Sequence, residues 1–147
     1  MNAIAPLERT LEKISELMLK NQCFKSEDIF VYGRTAYAIN VAFRNEILTV
    51  VLSTQIQKKD IDSGYMGQHI QKYAQKRNQS ELSGYYSITE TPEGLAVTYN
   101  QRIGLVKALP DRRVLESILD TGIAKLGDFT KNWRIEQWQE TMNQTAK

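Results

Sequence analysis

The strongest constraint on this fold is an apolar pattern that extends from Pro110 to Trp138. Apolar residues recur there every three or four positions, so they share one face of an α-helix. This face is formed by Leu115, Leu119, Gly122, Leu126, Phe129 and Trp133, with Val114, Ile118 and Ile123 at its margins. A long helix with so broad an apolar stripe needs a surface to cover. The middle of the chain is expected to supply that surface as a sheet.

Three residues define how this helix begins and packs. Pro110 suits the first helical position, where no N–H is needed, and Asp111 meets the positive end of the helix dipole. Gly122 lies on the apolar stripe, where a missing side chain lets the sheet approach closely.

A second amphipathic helix is predicted near the N-terminus, from Leu7 to Leu19. Its apolar seam is formed by Ile4, Leu7, Leu11, Ile14 and Met18. Leu17 and Leu19 fall beside this seam, so they are candidates for contact with a partner.

A hairpin of two alternating strands follows, with Asn45-Glu46 at its tip. One face of the hairpin is bulky, at Tyr37, Ile39, Val41, Phe43, Leu48, Val50, Leu52 and Ile56. The opposite face is small and only partly polar, and it includes Ala36, Ala38, Ala42, Thr49 and Val51. If the long helix covers only the bulky face, this second face stays available to a partner.

The rest of the chain completes an α+β pattern. A helix is predicted from Asp60 to Asn78, followed by a strand at Tyr85–Thr89, the turn Thr91–Gly94 and a return strand that includes Tyr99. A further segment, Ile103 to Leu109, leads into the long helix, so two or three strands are expected after the second helix. The predicted order is helix, antiparallel strands, helix, antiparallel strands and a long C-terminal helix packed on one sheet. No repeat or linker divides residues 1–147, so a single domain is expected.

Composition narrows the class of protein. The chain has 147 residues, 41% hydrophobic and 24% charged, which is ordinary for a globular domain. No apolar run reaches the roughly 20 residues of a membrane helix, and no secretory signal is visible. A single cysteine, Cys23, forms no internal disulfide. A cytoplasmic protein without a membrane partner is therefore expected.

Residues for catalysis are scarce. Nucleophilic catalysis needs a nucleophile beside a base, and the chain has one histidine, His69, and one cysteine, Cys23. The simpler interpretation is a helix-surface or core-edge histidine and a small, half-buried cysteine. Four zinc ligands cannot be assembled from this pair. No enzymatic activity, cofactor or metal is therefore expected.

Two groups of cations leave nucleic-acid binding as an alternative. They comprise Lys58, Lys59, Lys72, Lys76 and Arg77, and then Arg102, Lys107, Arg112 and Arg113. With Tyr65, Tyr73 and Tyr85 nearby, a stacking surface for nucleic acid is conceivable. A solvated helix face explains the same residues more simply, so nucleic acid is not the expected partner.

Three stretches resemble the type III secretion effector chaperones, the Tir-chaperone-like family. They are the hairpin from Tyr37 to Ile56, the turn Pro92-Glu93-Gly94, and Leu105 to Pro110 running into a helix that ends near Trp133. The resemblance covers most of the chain through patterns of hydrophobicity and turns. It implies a cytoplasmic, virulence-associated homodimer without enzymatic activity, which holds part of an effector in an extended, secretion-competent form.

The residues and the resemblance together predict a non-enzymatic chaperone or adaptor. The client protein is expected to contact Leu17, Leu19, Ala36, Ala38, Ala42, Thr49 and Val51, and could add a strand to an open sheet edge. The resemblance places the homodimer interface on the second helix and the strand after it, at Met66, Ile70, Tyr73, Tyr86 and Ile88. The alternative is an uncharacterised ligand- or nucleic-acid-binding domain that uses the basic second-helix region.

Overall fold

The computed structural model describes residues 5–20, 23–57, 64–82, 84–105 and 111–145. Side chains are described for residues 6–20, 23–57, 69–82, 84–105 and 111–133. The elements follow in the order β1 (Ala5–Pro6), α1 (Leu7–Lys20), β2 (Phe24–Tyr32), β3 (Thr35–Arg44), β4 (Ile47–Gln57), α2 (Gly64–Asn78), β5 (Gly84–Thr91), β6 (Gly94–Gly104) and α3 (Arg112–Thr145).

All of the described strands belong to one sheet with the order β1-β2-β3-β4-β6-β5. Strands β2 to β6 pair antiparallel, and the two-residue β1 pairs parallel to β2 at one edge. Helix α2 lies between β4 and β5 in the chain, so β6 pairs with β4 and β5 forms the other edge. The predicted α+β class is confirmed.

The hairpin turns explain the register of the sheet. Asn45 and Glu46 have φ angles of 54° and 64°, as the two central residues of a type I′ turn require. Gly33, with a φ of 64°, takes the first central position between β2 and β3. Because these two-residue turns fix which residues face each other, Ala42 lies opposite Thr49 and Asn40 lies opposite Val51.

The core lies between one face of the sheet and the three helices. Helix α1 packs on β2, α3 packs on β4 and β6, and α2 packs on β5. All eight bulky hairpin residues are buried, which confirms the predicted inner face: Tyr37, Ile39, Val41, Phe43, Leu48, Val50, Leu52 and Ile56. In α1, the seam residues Leu11, Ile14 and Met18 are buried as predicted.

The apolar stripe predicted for the long C-terminal helix is confirmed in α3. Its whole stripe is buried: Leu115, Leu119, Gly122, Leu126, Phe129 and Trp133. A Cβ added to Gly122 would lie 3.1 Å from both Leu52 Cδ2 and Gln101 Nε2, so the missing side chain does allow close approach of β4 and β6. The buried Gln101 donates from Nε2 to the Ile118 carbonyl oxygen at 3.0 Å, which fixes the helix on β6.

The start of α3 differs in detail from the prediction. The helix begins at Arg112, and Asp111 is its N-cap, because the Val114 N–H donates to Asp111 Oδ1 at 2.9 Å. Pro110 lies outside the described residues.

Three further details of the structure bear on the predictions. Ile103 belongs to β6, which is continuous from Gly94 to Gly104, and residues 106–109 lie outside the described residues. The described part of α2 begins at Gly64, and Asp60 lies outside the described residues. Cys23 is exposed rather than half-buried, because it precedes β2 at the edge of the sheet.

Candidate functional site

The face of the sheet that points away from the core is the candidate site, here named the open face. On β3 and β4 it carries Ala36, Ala38, Asn40, Ala42, Arg44, Ile47, Thr49, Val51, Ser53 and Gln55. On β2, β5 and β6 it carries Lys25, Glu27, Ile29, Val31, Tyr85, Ser87, Thr89, Ala96, Thr98, Asn100 and Arg102. These side chains are exposed or half-buried, because the helix side chains that the structure describes pack on the other face.

Five of the predicted client-binding residues lie together on the open face: Ala36, Ala38, Ala42, Thr49 and Val51. Ala36 is exposed and the others are half-buried. The face is shallow at this point because its side chains are small. A depression of about 490 Å³ lies beside Ala38, between Ile29 on β2 and Asn40 on β3.

The two predicted leucines do not belong to this surface. Leu17 and Leu19 lie on α1, which packs on the opposite side of the sheet. Leu17 is half-buried against the core, and Leu19 is 87% exposed. A client that contacts the open face therefore reaches them only by passing around the β2 edge, so the seven predicted residues do not form one continuous site.

The β5 edge of the sheet is partly closed by one side chain. Asn78, the last residue of α2, donates from Nδ2 to the Tyr86 carbonyl oxygen at 2.9 Å. Its Oδ1 accepts from the Tyr86 N–H at 2.6 Å. The amide thus takes the place of a neighbouring strand at the position where an added chain would bond. Since outward groups alternate along an antiparallel strand, Ile88 and Glu90 are the next residues whose backbone points outward.

The β2 edge is closed in a similar way. Strand β1 pairs with Phe30 and Val31, and the Ile29 N–H donates to the Asp28 Oδ1 at 2.8 Å. The other oxygen of Asp28 accepts from Thr10 Oγ1 of α1 at 3.2 Å. The same alternation makes Lys25 and Glu27 the remaining outward positions, and neither backbone has a hydrogen-bond partner among the described residues. Strand addition is therefore limited to short stretches of either edge.

The predicted dimer interface falls mainly on residues that are buried within the single chain. Ile70, Tyr73 and Tyr86 are 0%, 5% and 2% exposed, and they belong to the core of the single chain. The Tyr73 and Tyr86 rings each lie 4.9 Å from the Phe129 ring of α3. Their apolar surface is thus already covered by α3. Ile88 is half-buried against the same core, and the Met66 side chain lies outside the described residues.

A buried ion pair fixes the corner between α2, β5 and α3. The Glu81 carboxylate, 4% exposed, lies 2.8 Å from Lys125 Nζ and accepts from the Tyr99 hydroxyl at 3.1 Å. The Tyr86 hydroxyl donates to the Lys125 carbonyl oxygen at 3.1 Å. Burial raises the pKa of Tyr86 to about 12, so this hydroxyl stays protonated as a donor. No sequence pattern predicts this cluster, because Glu81 lies in a short polar connector.

The two residues considered for catalysis do not meet. Cys23 precedes β2 at one edge of the sheet, whereas His69 is half-buried on α2, which packs on β5 at the other edge. Among the residues that the structure describes, no group of three or more His, Cys, Asp or Glu side chains is placed to hold a metal ion.

The basic region predicted as an alternative site is divided. Lys72 is exposed on α2, but Tyr73 is a core residue and cannot stack on a nucleotide base. Arg112, in the second group, forms ion pairs with Glu8 and Glu116. Arg102 lies apart from Lys72 and from Arg112, on the open face.

Comparison of the chain with models of protein families, with curated proteins and with solved structures gave no match. Within the described residues, no helix is both long and apolar enough to cross a lipid bilayer. The resemblance to secretion chaperones therefore stays a prediction, while the fold class rests on the structure itself.

Proposed function

We propose that this protein is a non-enzymatic chaperone or adaptor that binds an extended segment of a client protein on the open face of its sheet. The observation that carries the proposal is the contrast between the faces of β3 and β4. One face is covered by helices, and the other presents a broad, shallow surface with no described element packed on it. The proposed secretion role and the cytoplasmic location rest on the family resemblance.

The chemistry of the open face suits an extended chain. Its small residues, such as Ala38, Ala42 and Thr49, let a peptide backbone approach the sheet closely. The depression beside Ala38 accommodates one apolar side chain of such a segment, against the exposed Ile29. A segment that folds on binding loses conformational entropy, so a tight complex needs a long contact across several strands.

The closed edges shape how the client binds. Asn78 occupies the outward groups of Tyr86, and Asp28 occupies the outward N–H of Ile29. A client strand can pair with Lys25 and Glu27, whose outward backbone groups have no partner among the described residues, but two residues supply few main-chain hydrogen bonds. Most of the affinity is therefore assigned to side-chain contacts with the open face.

The proposal includes a homodimer, with an interface different from the one predicted. Because Ile70, Tyr73 and Tyr86 are core residues, a second copy is assigned to the exposed residues of the same corner. Leu82 is 100% exposed and Tyr85 is 51% exposed, next to the β5 edge. Light scattering at micromolar concentrations is expected to give twice the chain mass. The Leu82→Asp variant is expected to give a lower mass, because it weakens the dimer. A monomer mass for the parent protein would remove the dimer from the proposal.

The test of the function is to identify the client and map its bound segment. The tagged protein is purified from its native cells, and the co-purified chain is digested with a protease while it is bound. One continuous segment of the client is expected to be protected, and that segment is expected to be unfolded when alone. An Ala124→Arg variant, altered at an exposed alanine of α3, should retain the client as a control. Protection of a folded client domain, or release of a chemically changed product, would contradict the proposal.

A further inference from the structure

Three cations are concentrated at one end of the open face. Lys25 of β2 pairs with Ala42 of β3, Ala42 pairs with Thr49 of β4, and Thr49 pairs with Arg102 of β6. These four residues form one row across four strands. With strands about 4.8 Å apart, the Cα atoms of Lys25 and Arg102 are about 14 Å apart. Arg44 lies on the same face, two residues along β3 from Ala42. This group is named the cationic end.

The charges of the cationic end are not neutralised by ion pairs among the residues that the structure describes. Within the described residues, none of Lys25, Arg44 and Arg102 has a carboxylate within ion-pair distance, and all three are exposed. In contrast, Arg112 and Lys125 of α3 are both paired with glutamates. Two carboxylates lie near this end among the described residues: Glu27, in the adjacent row of the open face, and Glu46, exposed in the β3–β4 turn two residues from Arg44. The face therefore keeps a net positive charge at this end.

The floor of the cationic end favours a peptide over a nucleic acid. Ala42 and Thr49 are small and half-buried, and neither offers a ring on which a base could stack. Proteins that bind single strands without sequence preference combine cations with aromatic stacking. The exposed ring of Tyr85 lies opposite Asn100, two residues along β6 from Arg102, so it is near one of the three cations and is separated from Lys25 by the width of the sheet. Binding of carboxylates on an extended chain requires only the cations and a flat surface of small side chains between them.

We propose that the cationic end binds an acidic stretch of the client and thereby sets the direction in which the client lies on the sheet. The inference rests on the proposed function and adds the chemistry of the partner. In an extended segment, side chains on the same side recur about every 6.8 Å. A client segment that crosses the strands thus brings acidic residues at its positions i and i+4 over Lys25 and Arg102. Its residue i+2, on the same side, then lies near Arg44.

The test uses three synthetic peptides that alternate alanine with glutamate, with glutamine or with lysine. Their affinities are measured by fluorescence anisotropy at low and at high salt. The parent protein is expected to bind the glutamate peptide about tenfold more tightly than the glutamine peptide, because each exposed pair contributes modestly. This preference should shrink at high salt. The triple variant Lys25→Gln, Arg44→Gln, Arg102→Gln should lose it.

A matched control separates local from overall charge. Arg9, Lys20 and Arg113 are also exposed cations, but they lie on the helices. The variant Arg9→Gln, Lys20→Gln, Arg113→Gln has the same net charge as the open-face variant and should keep the preference for glutamate. Thermal unfolding of both variants should stay close to the parent, since all six side chains are exposed.

Several results would overturn the inference. Equal binding of the glutamate and glutamine peptides, no binding of any peptide, or equal losses in the two triple variants would each contradict an acidic-peptide site at the cationic end. Tighter binding of a single-stranded oligonucleotide than of the glutamate peptide, lost in the open-face variant, would assign the cations to nucleic acid instead. Binding of the client from native cells distinguishes a failure of this inference from a failure of the proposed function. If the client binds both triple variants equally but does not bind the Ala38→Arg variant, the proposed function stands and this inference fails.

Discussion

The two faces of the central sheet differ in side-chain size far more than in backbone geometry. On β3, the helix-covered face carries Tyr37, Ile39, Val41 and Phe43, whereas the open face carries Ala36, Ala38, Asn40 and Ala42. The same strand therefore holds the core together on one side and presents a shallow surface on the other. Stability and binding are assigned to opposite faces, so substitutions should separate them.

The comparison has a physical basis in buried area. A buried leucine or phenylalanine contributes roughly 1.5–3 kcal/mol by leaving water, whereas an alanine has little surface to remove. The open face can thus stay exposed to water with little loss of solubility, because its side chains are small. A client chain that lies on it still contacts several strands. Substitutions on the covered face should act on folding, and substitutions on the open face should act on binding.

The largest expected effect is on the covered face. Phe129→Ala removes a fully buried ring that contacts Tyr73 and Tyr86, so it should destabilise the protein by about 3–5 kcal/mol. Val51→Ala, on the open face, should cost about 0.5 kcal/mol or less. Urea denaturation measures both. Similar losses in the free energy of unfolding for the two variants would contradict the distinction between the faces.

The buried ion pair should rank second. Glu81→Gln leaves Lys125 without its charge partner, but Lys125 is 34% exposed and can regain water. The expected loss of stability is therefore about 1–3 kcal/mol, below the range for a fully buried pair. Lys125→Met added to Glu81→Gln should recover part of this loss, and a double-mutant cycle from urea denaturation measures the coupling. Strictly additive losses would show that the pair contributes no coupling.

The amide that closes the β5 edge should have a smaller effect on stability and a distinct effect on assembly. Asn78→Ala removes both bonds to Tyr86 and should cost about 1–2 kcal/mol. It also exposes an edge that can pair with another chain, so sedimentation should show larger species. Gln79→Ala, at the exposed neighbour, is the control. Unchanged assembly of the Asn78 variant would mean that the edge is protected by something else.

The smallest predicted effect is a gain. Glu46 has a φ of 64°, which glycine adopts without steric cost. Glu46→Gly should therefore stabilise the β3–β4 hairpin by about 0.5–1 kcal/mol. A rise in the urea midpoint checks this. A clear fall in that midpoint would mean that the Glu46 side chain has a structural role.

The sequence predicted the covered face well and the edges poorly. The stripe on α3 and the alternation on β3 and β4 are local patterns with a fixed period, so burial follows from them directly. The capping of Tyr86 by Asn78 and the Glu81–Lys125 pair join residues that are distant along the chain or in different elements. No periodicity encodes such contacts. Tyr73 on α2 and Tyr86 on β5 were assigned to a dimer interface, because apolar residues in a sequence fit a core as well as a contact between two chains.

The central claim is that the open face binds the client, and one double variant tests it most directly. Ala38→Arg with Val51→Arg places two long cations on that face, on neighbouring strands and away from the core. Client affinity and thermal unfolding are measured on the same sample, beside Ala124→Arg as control. The account predicts that affinity falls at least about thirtyfold. It predicts a melting temperature within about 2–4 °C of the parent. Full client binding by the well-folded double variant would contradict the claim.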